Sequence, residues 1–243
     1  MQADKPDRVL AGIDGCKAGW IAVISGKDGI PQPRVFARFN ELIENLPADA
    51  IIAVDMPIGL PERVGAGGRG PEKSVRPYLG MRQSSVFSIP SRSAVFAGDY
   101  RRACELALAT SNPPRKVSKQ AFHLFPRIRE IDAVIGQHNQ HRIREAHPEL
   151  AFWRLNDEQA MQFPKKIKGR VNPAGMEERR NLLIRSGLPE RLVRMTPPGA
   201  AADDLLDACA CLAIAARIAS GSAVPFPNPP LTDARGLEMA IWA

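Results

Sequence analysis

The chain has 243 residues, of which 44% are hydrophobic and 24% are charged, and its formal net charge is +7. These fractions are ordinary for a globular protein and exclude disordered and fibrous classes, and no apolar run approaches the ~18 residues of a membrane span. Because the opening residues also lack the apolar stretch of a signal peptide, we expect a soluble cytoplasmic protein, without a membrane partner, folded as one domain over residues 1–243.

The beginning of the chain predicts a run of β-strands. Three strand-like segments joined by short glycine-containing loops favour an antiparallel meander, and they are residues 8–14, 19–26 and 34–39. A two-turn helix is predicted next, with Asn40 as its N-cap and Pro47 at its end. Residues 50–55 (AIIAVD) then form an apolar run that ends in an acid, typical of a parallel strand covered on both faces.

The middle of the chain carries the positive charge. Between Glu62 and Glu130 there are 13 Lys or Arg residues against five Asp or Glu residues, so the whole basic surplus lies in this segment. Such a surplus suits contacts with phosphate groups, although a solvated helical face is an equally good interpretation. We expect an insertion over about residues 60–138, in which long loops precede helices at 99–112 and 119–136.

The remainder of the chain predicts one strand and several helices. A short strand is expected around residues 142–145, followed by helical signals at 156–163 and 175–187. Residues 203–221 predict a long and almost entirely apolar helix that stops at Gly221. The Pro-rich tail predicts a turn and then an edge strand.

Two aspartates stand where predicted strands end. Asp14 followed by Gly15 is also typical of a turn, and Asp55 is also typical of a strand break before Pro57, so neither aspartate alone indicates a site. The two strands would be adjacent and parallel, which would bring both carboxylates to one carboxyl-terminal edge of the sheet. Sites in open α/β sheets form at this edge, so both residues are candidates for catalysis.

Three further acids are candidates. Asp204 and Asp207 lie three residues apart on the final helix and share one face. Asp204 can be explained as N-terminal capping, whereas Asp207 lies in an apolar stretch where an unpaired carboxylate would be costly. Glu145 would reach the same edge if its strand lies beside the strand that ends in Asp55. Such a group of carboxylates would repel one another, and oxygen-only ligation favours Mg²⁺ or Mn²⁺ over Zn²⁺.

The order of the motifs resembles one family closely. The segments GIDGCKAGW, VDMPIGLP, RPYLGMRQSSVFSIPSR, EAHPEL, PKKIKGR and DDLLDACACLAIAAR are similar to successive signatures of domain of unknown function 429, a family of predicted nucleases with a ribonuclease H-like fold. The resemblance implies an α/β fold with a five-stranded mixed sheet of order 3-2-1-4-5, flanked by helices, with the helical insertion between the fourth and fifth strands. It also implies a carboxylate site of Asp14, Asp55, Asp204 and Asp207, with Glu145 as an addition.

The leading hypothesis is a nuclease that hydrolyses phosphodiester bonds of DNA or RNA with Mg²⁺ or Mn²⁺. Four aspartates would hold two metal ions about 4 Å apart, and they are Asp14, Asp55, Asp204 and Asp207. Basic and hydroxyl side chains would bind the substrate phosphates, and they are Arg76, Arg82, Ser84, Ser85, Arg92, Lys165 and Lys166.

Two other functions fit the same fold. An ATP-binding phosphotransferase of the sugar-kinase and actin-like group shares this sheet, but it needs a second phosphate loop and a glycine-rich adenine site, and neither pattern occurs before the last helix. A non-catalytic module would use the basic loops to bind nucleic acid or protein. Its binding would fall with salt and would not respond to added metal.

Overall fold

The computed structural model describes residues 8–26 and 29–243. The domain expected over residues 1–243 also includes residues 1–7 and 27–28, which lie outside the described residues. The strands are β1 (Leu10–Cys16), β2 (Gly19–Ser25), β3 (Pro31–Phe36), β4 (Ile51–Val54), β5 (Val64–Gly65), β6 (Ser111–Asn112), β7 (Ile143–Glu145), β8 (Lys166–Ile167), β9 (Arg170–Val171), β10 (Pro225–Thr232) and β11 (Glu238–Trp242).

The helices lie between β3 and β10 in the chain. They are α1 (Phe39–Glu44), α2 (Gly70–Val75), α3 (Arg92–Val95), α4 (Tyr100–Thr110), α5 (Lys119–Val134), α6 (Pro148–Leu155), α7 (Pro173–Arg185), α8 (Glu190–Arg194) and α9 (Ala202–Ala219). A 3₁₀ segment at Arg76–Ser85 follows α2 and is interrupted at Gly80. Among the helices of the described ranges, none combines the length and the apolar character needed to cross a bilayer.

In the part of the chain that the structure describes, seven strands form one central mixed sheet, in the order β3-β2-β1-β4-β7-β11-β10. The antiparallel meander of β1, β2 and β3 is confirmed, and β4 is parallel to β1 as predicted. The expected number of five strands is wrong, because β11 pairs in parallel with β7 and β10 pairs with β11. The other strands form two small sheets, β5 with β6 and β8 with β9.

The C-terminal tail explains the extra strands. We predicted a Pro-rich turn followed by an edge strand, but β11 lies inside the sheet and the Pro-rich segment is the edge strand β10. Proline has no backbone N–H to donate to a neighbouring strand, so it is tolerated at the edge of a sheet and not in its interior.

Three local predictions about helices and strands are also corrected. Helix α1 begins at Phe39 with Arg38 as its N-cap, not Asn40, and the preceding strand ends at Phe36. The helix predicted at 156–163 is absent from the described chain, because Asp157 and Glu158 take positive φ angles of 52° and 61°. The helix forms earlier, as α6, where Pro148 occupies its first turn.

Helices cover both faces of the sheet. One apolar cluster joins the sheet to α6, α7, α8 and α9, and the other joins it to α1, α3, α4 and α5. Side chains alternate between these faces along β1, so Leu10 contributes to the first cluster and Ala11 and Ile13 to the second. By the same alternation, Gly12 and Asp14 face α9.

Gly12 allows α9 to lie directly on β1. A Cβ atom added at Gly12 would be 2.0 Å from the backbone nitrogen of Leu212 and 2.2 Å from the carbonyl oxygen of Ala208, both in α9. Only glycine fits at this crossing, because real Cβ atoms do not approach backbone atoms this closely. The close packing brings the N-terminal turns of α9, and therefore Asp207, to the end of β1.

Candidate metal centre and active site

Three aspartates from separate parts of the chain meet at one edge of the sheet. Asp14 lies near the end of β1, Asp55 follows β4, and Asp207 lies on α9. The backbone N–H of Asp55 donates to the carbonyl of Ile13 at 2.9 Å, which continues the β1–β4 pairing and makes the first two aspartates neighbours. Each of the three offers a carboxylate oxygen, and these oxygens all lie within 4.8 Å of one another. We call this group the aspartate triad.

Burial and mutual repulsion make ionisation of the triad unfavourable. Asp14 is 8% exposed, Asp207 is 6% exposed, and Asp55 is partly buried. Burial, followed by the charges of Asp55 and Asp207, raises the pKa of Asp14 well above its ordinary value. Burial and the charge of Asp207 raise the pKa of Asp55 to about 8. Three ionised carboxylates this close together require a positive charge among them.

Lys165 supplies part of that charge. Its ammonium group pairs with Asp207 Oδ2, and burial raises the pKa of Asp207 only to about 6 because Lys165 opposes the effect. Within residues 8–26 and 29–243, no other cation forms an ion pair with the triad. When all three carboxyl groups are ionised, the triad and Lys165 carry two formal negative charges that no other described residue pairs with.

The donor set fits a hard divalent cation. Carboxylate oxygens are the preferred ligands of Mg²⁺ and Mn²⁺, and the uncompensated charge of the triad equals that of one such ion. In addition, Asp207 Oδ1 is buried and has no hydrogen-bond partner among the described residues. A buried carboxylate oxygen without a partner is costly, so a cation that contacts it would stabilise the fold.

Asp204 contributes differently from the triad. Its Oδ2 accepts a hydrogen bond of 2.9 Å from the backbone N–H of Ala201, so it caps the start of α9. Asp204 is close enough to raise the pKa of Asp14 by its charge, but it offers no oxygen to the triad. The neighbouring Lys166 pairs with Asp203 at 2.5 Å and not with the triad.

Glu145 reaches the edge of the sheet but has other partners. Ile143, two residues earlier on β7, belongs to the apolar cluster opposite α9, and alternation along the strand directs Glu145 to that side. Glu145 Oε1 accepts from Arg69 at 2.6 Å, and Oε2 accepts from the N–H of Ile58 at 2.8 Å. Burial raises the pKa of Glu145 to about 7, although Arg69 opposes the rise. Its carboxylate therefore serves the fold.

Two of the arginines expected to bind phosphate have structural partners. Arg92 forms a two-pronged ion pair with Asp132, at 2.8 and 2.9 Å, and also contacts Asp233. Arg76 donates to the carbonyls of Gly67 and Val86, at 2.5 and 2.9 Å. Both guanidinium groups hold loops together and are not at the triad.

Three further predicted binding residues, Arg82, Ser84 and Ser85, lie in the part of the 3₁₀ segment that follows Gly80. Ser84 is exposed, whereas Ser85 lines a cleft beside the triad and donates to the carbonyl of Arg82 at 2.8 Å. Arg82 is partly buried, and its Nε atom has no hydrogen-bond partner in the described chain. Ser85 is the member of this group that adjoins the acidic site.

A cleft of about 150 Å³ opens beside Asp14 and Asp55, and it contains residues that the sequence did not indicate. Arg127 reaches it from α5 and donates to the carbonyl of Cys16 at 2.5 Å. Gly15 leaves room for this arginine, since a Cβ there would lie 2.7 Å from Arg127 Nε. His147 also lines the cleft, and burial lowers its pKa to about 4. The only sequence signal for Arg127 is its place in the basic segment.

The raised pKa values predict how stability depends on pH. The pKa of Asp55 is about 8 in the fold against an ordinary 3.8, so the folded protein binds a proton that the unfolded chain releases between these values. The stability due to this proton is present below about pH 4 and is lost as pH rises through about 8. Metal-free protein should therefore melt roughly 5 °C or more lower at pH 8 than at pH 5.

Thermal melting of an Asp55→Asn variant checks this prediction. The amide cannot titrate, so the difference in melting temperature between pH 5 and pH 8 should shrink. Asp49→Asn is the matched control, because Asp49 is exposed and lies before the opposite end of β4, and it should behave as the unchanged protein. Equal pH dependence in all three proteins would contradict the assignment. Mn²⁺ should restore stability more at pH 8 than at pH 5, because protons compete with metal for the carboxylates.

Comparison with known proteins gives one match. The family described as "Protein of unknown function (DUF429)" matches residues 12–232, a range that contains the whole aspartate triad, Lys165 and Arg127. No curated protein and no solved structure matches the chain.

Proposed function

The chain belongs to the DUF429 family of proteins of unknown function, and we propose that it is a divalent-metal-dependent nuclease that hydrolyses phosphodiester bonds of DNA or RNA. One observation carries the proposal. Asp14, Asp55 and Asp207 come from three separate elements and present carboxylate oxygens within 4.8 Å of one another. Their burial and raised pKa values show that ionising these carboxyl groups destabilises the fold. A cation bound among them would offset this cost, as is common at functional sites.

The triad would hold Mg²⁺ or Mn²⁺, with Asp14, Asp55 and Asp207 as ligands. When bound, such an ion supplies a water molecule of lowered pKa and stabilises negative charge on a phosphate oxygen. Lys165 keeps Asp207 in the ionised form that a metal ligand needs, because its charge lowers the pKa of that carboxyl. Asp204 supports the site by capping α9 and by holding the helix end in place.

Two cations would contact the substrate. Lys165 approaches the triad from the segment before β8, and Arg127 approaches from α5. A guanidinium binds phosphate oxygens through two parallel N–H groups, so Arg127 is suited to orient the phosphodiester. Ser85 lines the same cleft, and its hydroxyl would donate to a phosphate oxygen by turning away from the carbonyl of Arg82. Arg76 and Arg92 would not contact the substrate, because their guanidinium groups hold loops.

The direct test is cleavage of end-labelled DNA and RNA, each single-stranded and double-stranded, with Mg²⁺, with Mn²⁺ or with EDTA. We expect at least one substrate to be cut with metal and none with EDTA. Cleavage that survives chelation would contradict the metal site. If no substrate is cut and neither ion raises the melting temperature, the nuclease proposal fails. A rise in melting temperature with ATP alone would favour the phosphotransferase.

A further inference from the structure

A second cleft, of about 310 Å³, lies beside the acidic one. Its walls are the glycine-rich loop at residues 64–68, residues 84–90, and the stretch at residues 115–120 that leads into α5. Val86, Phe87 and Ile89 line both clefts, so the two share one wall. We call this second space the basic cleft.

The two clefts carry opposite charge. The acidic cleft is lined by Asp14, Asp55, Glu72 and Glu145, with Arg127 as its cation. Among the described residues, those that line the basic cleft include Arg115 and Lys116 and no Asp or Glu. Both cations are exposed, and within the described ranges neither forms an ion pair. Their charges are therefore available to an anionic ligand.

Hydrogen bonds and strand pairing hold the walls of the basic cleft in place. Gly67 and Gly68 have positive φ angles of 88° and 101°, which turn the loop back on itself. Arg76 joins this loop to the shared wall, since its guanidinium donates to the carbonyls of Gly67 and Val86 and to Ser88 Oγ. Pairing of β5 with β6 ties the loop to the segment before α5. A braced cleft loses little conformational entropy when a ligand binds.

The start of α5 adds to the positive potential. Ser118 is its N-cap, and Ser118 Oγ accepts a hydrogen bond of 3.1 Å from the N–H of Ala121. Ser118 and Gln120 line the cleft together with Arg115 and Lys116, so the partial positive charge at the first turn of this 16-residue helix lies beside it. The hydroxyl group of Ser84 also lines this cleft and can donate to a phosphate oxygen, whereas Ser88 donates its hydroxyl proton to the carbonyl of Gly67 and helps to hold the loop.

We propose that the basic cleft binds backbone phosphates of the nucleic-acid strand whose scissile bond occupies the acidic cleft, an inference that rests on the proposed nuclease function. Without a bound cation the aspartate triad repels phosphates, so a neighbouring region of opposite charge would supply affinity for a polyanion. The basic cleft adjoins the triad along Val86, Phe87 and Ile89 and provides two unpaired cations. A strand lying over this shared wall would contact both clefts.

The proposal can be tested without catalysis by measuring, in EDTA, how tightly the protein binds a fluorescein-labelled single-stranded oligonucleotide of about 20 nucleotides. Fluorescence anisotropy reports the binding. The double variant Arg115→Gln with Lys116→Gln should bind about tenfold more weakly near 50 mM salt, and the slope of log affinity against log salt should fall by about 1.4. The control is Arg101→Gln with Arg102→Gln, which removes the same charge from the exposed face of α4. It should change affinity by less than about twofold.

The outcomes separate this proposal from the nuclease proposal. If both double variants weaken binding equally, the basic cleft is not a binding site, whether or not the protein cleaves nucleic acid. If inorganic phosphate, at an equal concentration of phosphate groups, displaces the oligonucleotide fully, the cleft binds single anions and strand binding is overturned. If only the Arg115 and Lys116 variant loses affinity while no substrate is ever cut, strand binding is upheld and the nuclease function fails.

Discussion

Replacement of Asp14 by Asn is expected to abolish metal-dependent cleavage while the protein remains folded. Asp14 Oδ1 accepts a hydrogen bond of 2.6 Å from the N–H of Gly15, and the amide oxygen of Asn can keep this contact. The lost negative charge weakens the attraction for a divalent ion, which supplies several kcal/mol of transition-state stabilisation. We therefore expect the cleavage rate to fall by about 10³-fold or more.

Stability measurements show whether the loss is local. Burial and two neighbouring carboxylates raise the pKa of Asp14, so a neutral side chain relieves repulsion in the metal-free protein. The Asn variant should melt at the same temperature as the unchanged protein or higher at pH 8, and Mn²⁺ should stabilise it less. Asp49→Asn controls for the loss of one carboxylate elsewhere and should cleave at the normal rate. Full activity in Asp14→Asn would disprove the assignment of the triad.

Replacement of Gly12 by Ala is expected to cause the largest loss of stability. The added methyl group would lie 2.0 Å from Leu212 N and 2.2 Å from Ala208 O. These are backbone atoms of a helix in the core, so they cannot rotate away as a flexible side chain would. Moving α9 off β1 would disturb packing across the sheet and cost about 3 kcal/mol or more. For a chain of this size, that corresponds to a fall in melting temperature of roughly 6–12 °C.

Thermal or urea unfolding measures this effect, and Gly98→Ala is its matched control. Gly98 is exposed, and a Cβ added there meets nothing within 4 Å, so its substitution should change stability by less than about 0.5 kcal/mol. Gly12→Ala should also reduce metal affinity in the protein that remains folded, because a displaced α9 carries Asp207 away from Asp14. If Gly12→Ala and Gly98→Ala unfold alike, close contact between β1 and α9 is not needed.

The two substitutions act on different properties of one site. Asp14→Asn removes a ligand and leaves the scaffold, so activity and stability change independently. Gly12→Ala leaves every ligand in the sequence and alters the distance between two of them. The site therefore depends on a residue that carries no functional group, and its role can be recognised only from the crossing of α9 over β1.

Much of the sheet was predictable from the sequence because strand patterns are local. The alternation along residues 10–36 and the apolar run at 51–54 indicate a meander followed by a buried parallel strand, and both are present. The C-terminal tail was misjudged, because the position of a strand within a sheet depends on which edge is free to accept it. Its prolines predict a turn before an edge strand, whereas the Pro-rich segment is itself the edge strand β10 and β11 lies between it and β7.

The sequence indicated the position of some acidic residues correctly, but not that of others. The positions of Asp14 and Asp55 at strand ends, and of Asp207 in an apolar helix, were visible in the sequence as carboxylates placed where burial is costly. Glu145 looked similar, but its strand directs it to the other side of the sheet, where Arg69 pairs with it. The pairing register of β7 and the path of the loop that carries Arg69 are set by contacts between residues that are far apart in the chain. A local sequence pattern does not contain this information.

The sequence by itself determined the meander, the parallel strand β4, the long helix α9, the carboxylates at the sheet edge and the location of the basic surplus, because each depends on neighbours along the chain. Only the tertiary structure decided which arginines are free. Arg76 and Arg92 form hydrogen bonds and ion pairs that hold loops together. Arg127, in contrast, borders the triad, and Arg115 and Lys116 border the basic cleft. The physical reason is that an ion pair forms wherever folding brings opposite charges within contact, and the separation of two groups in space is not encoded by their separation along the chain.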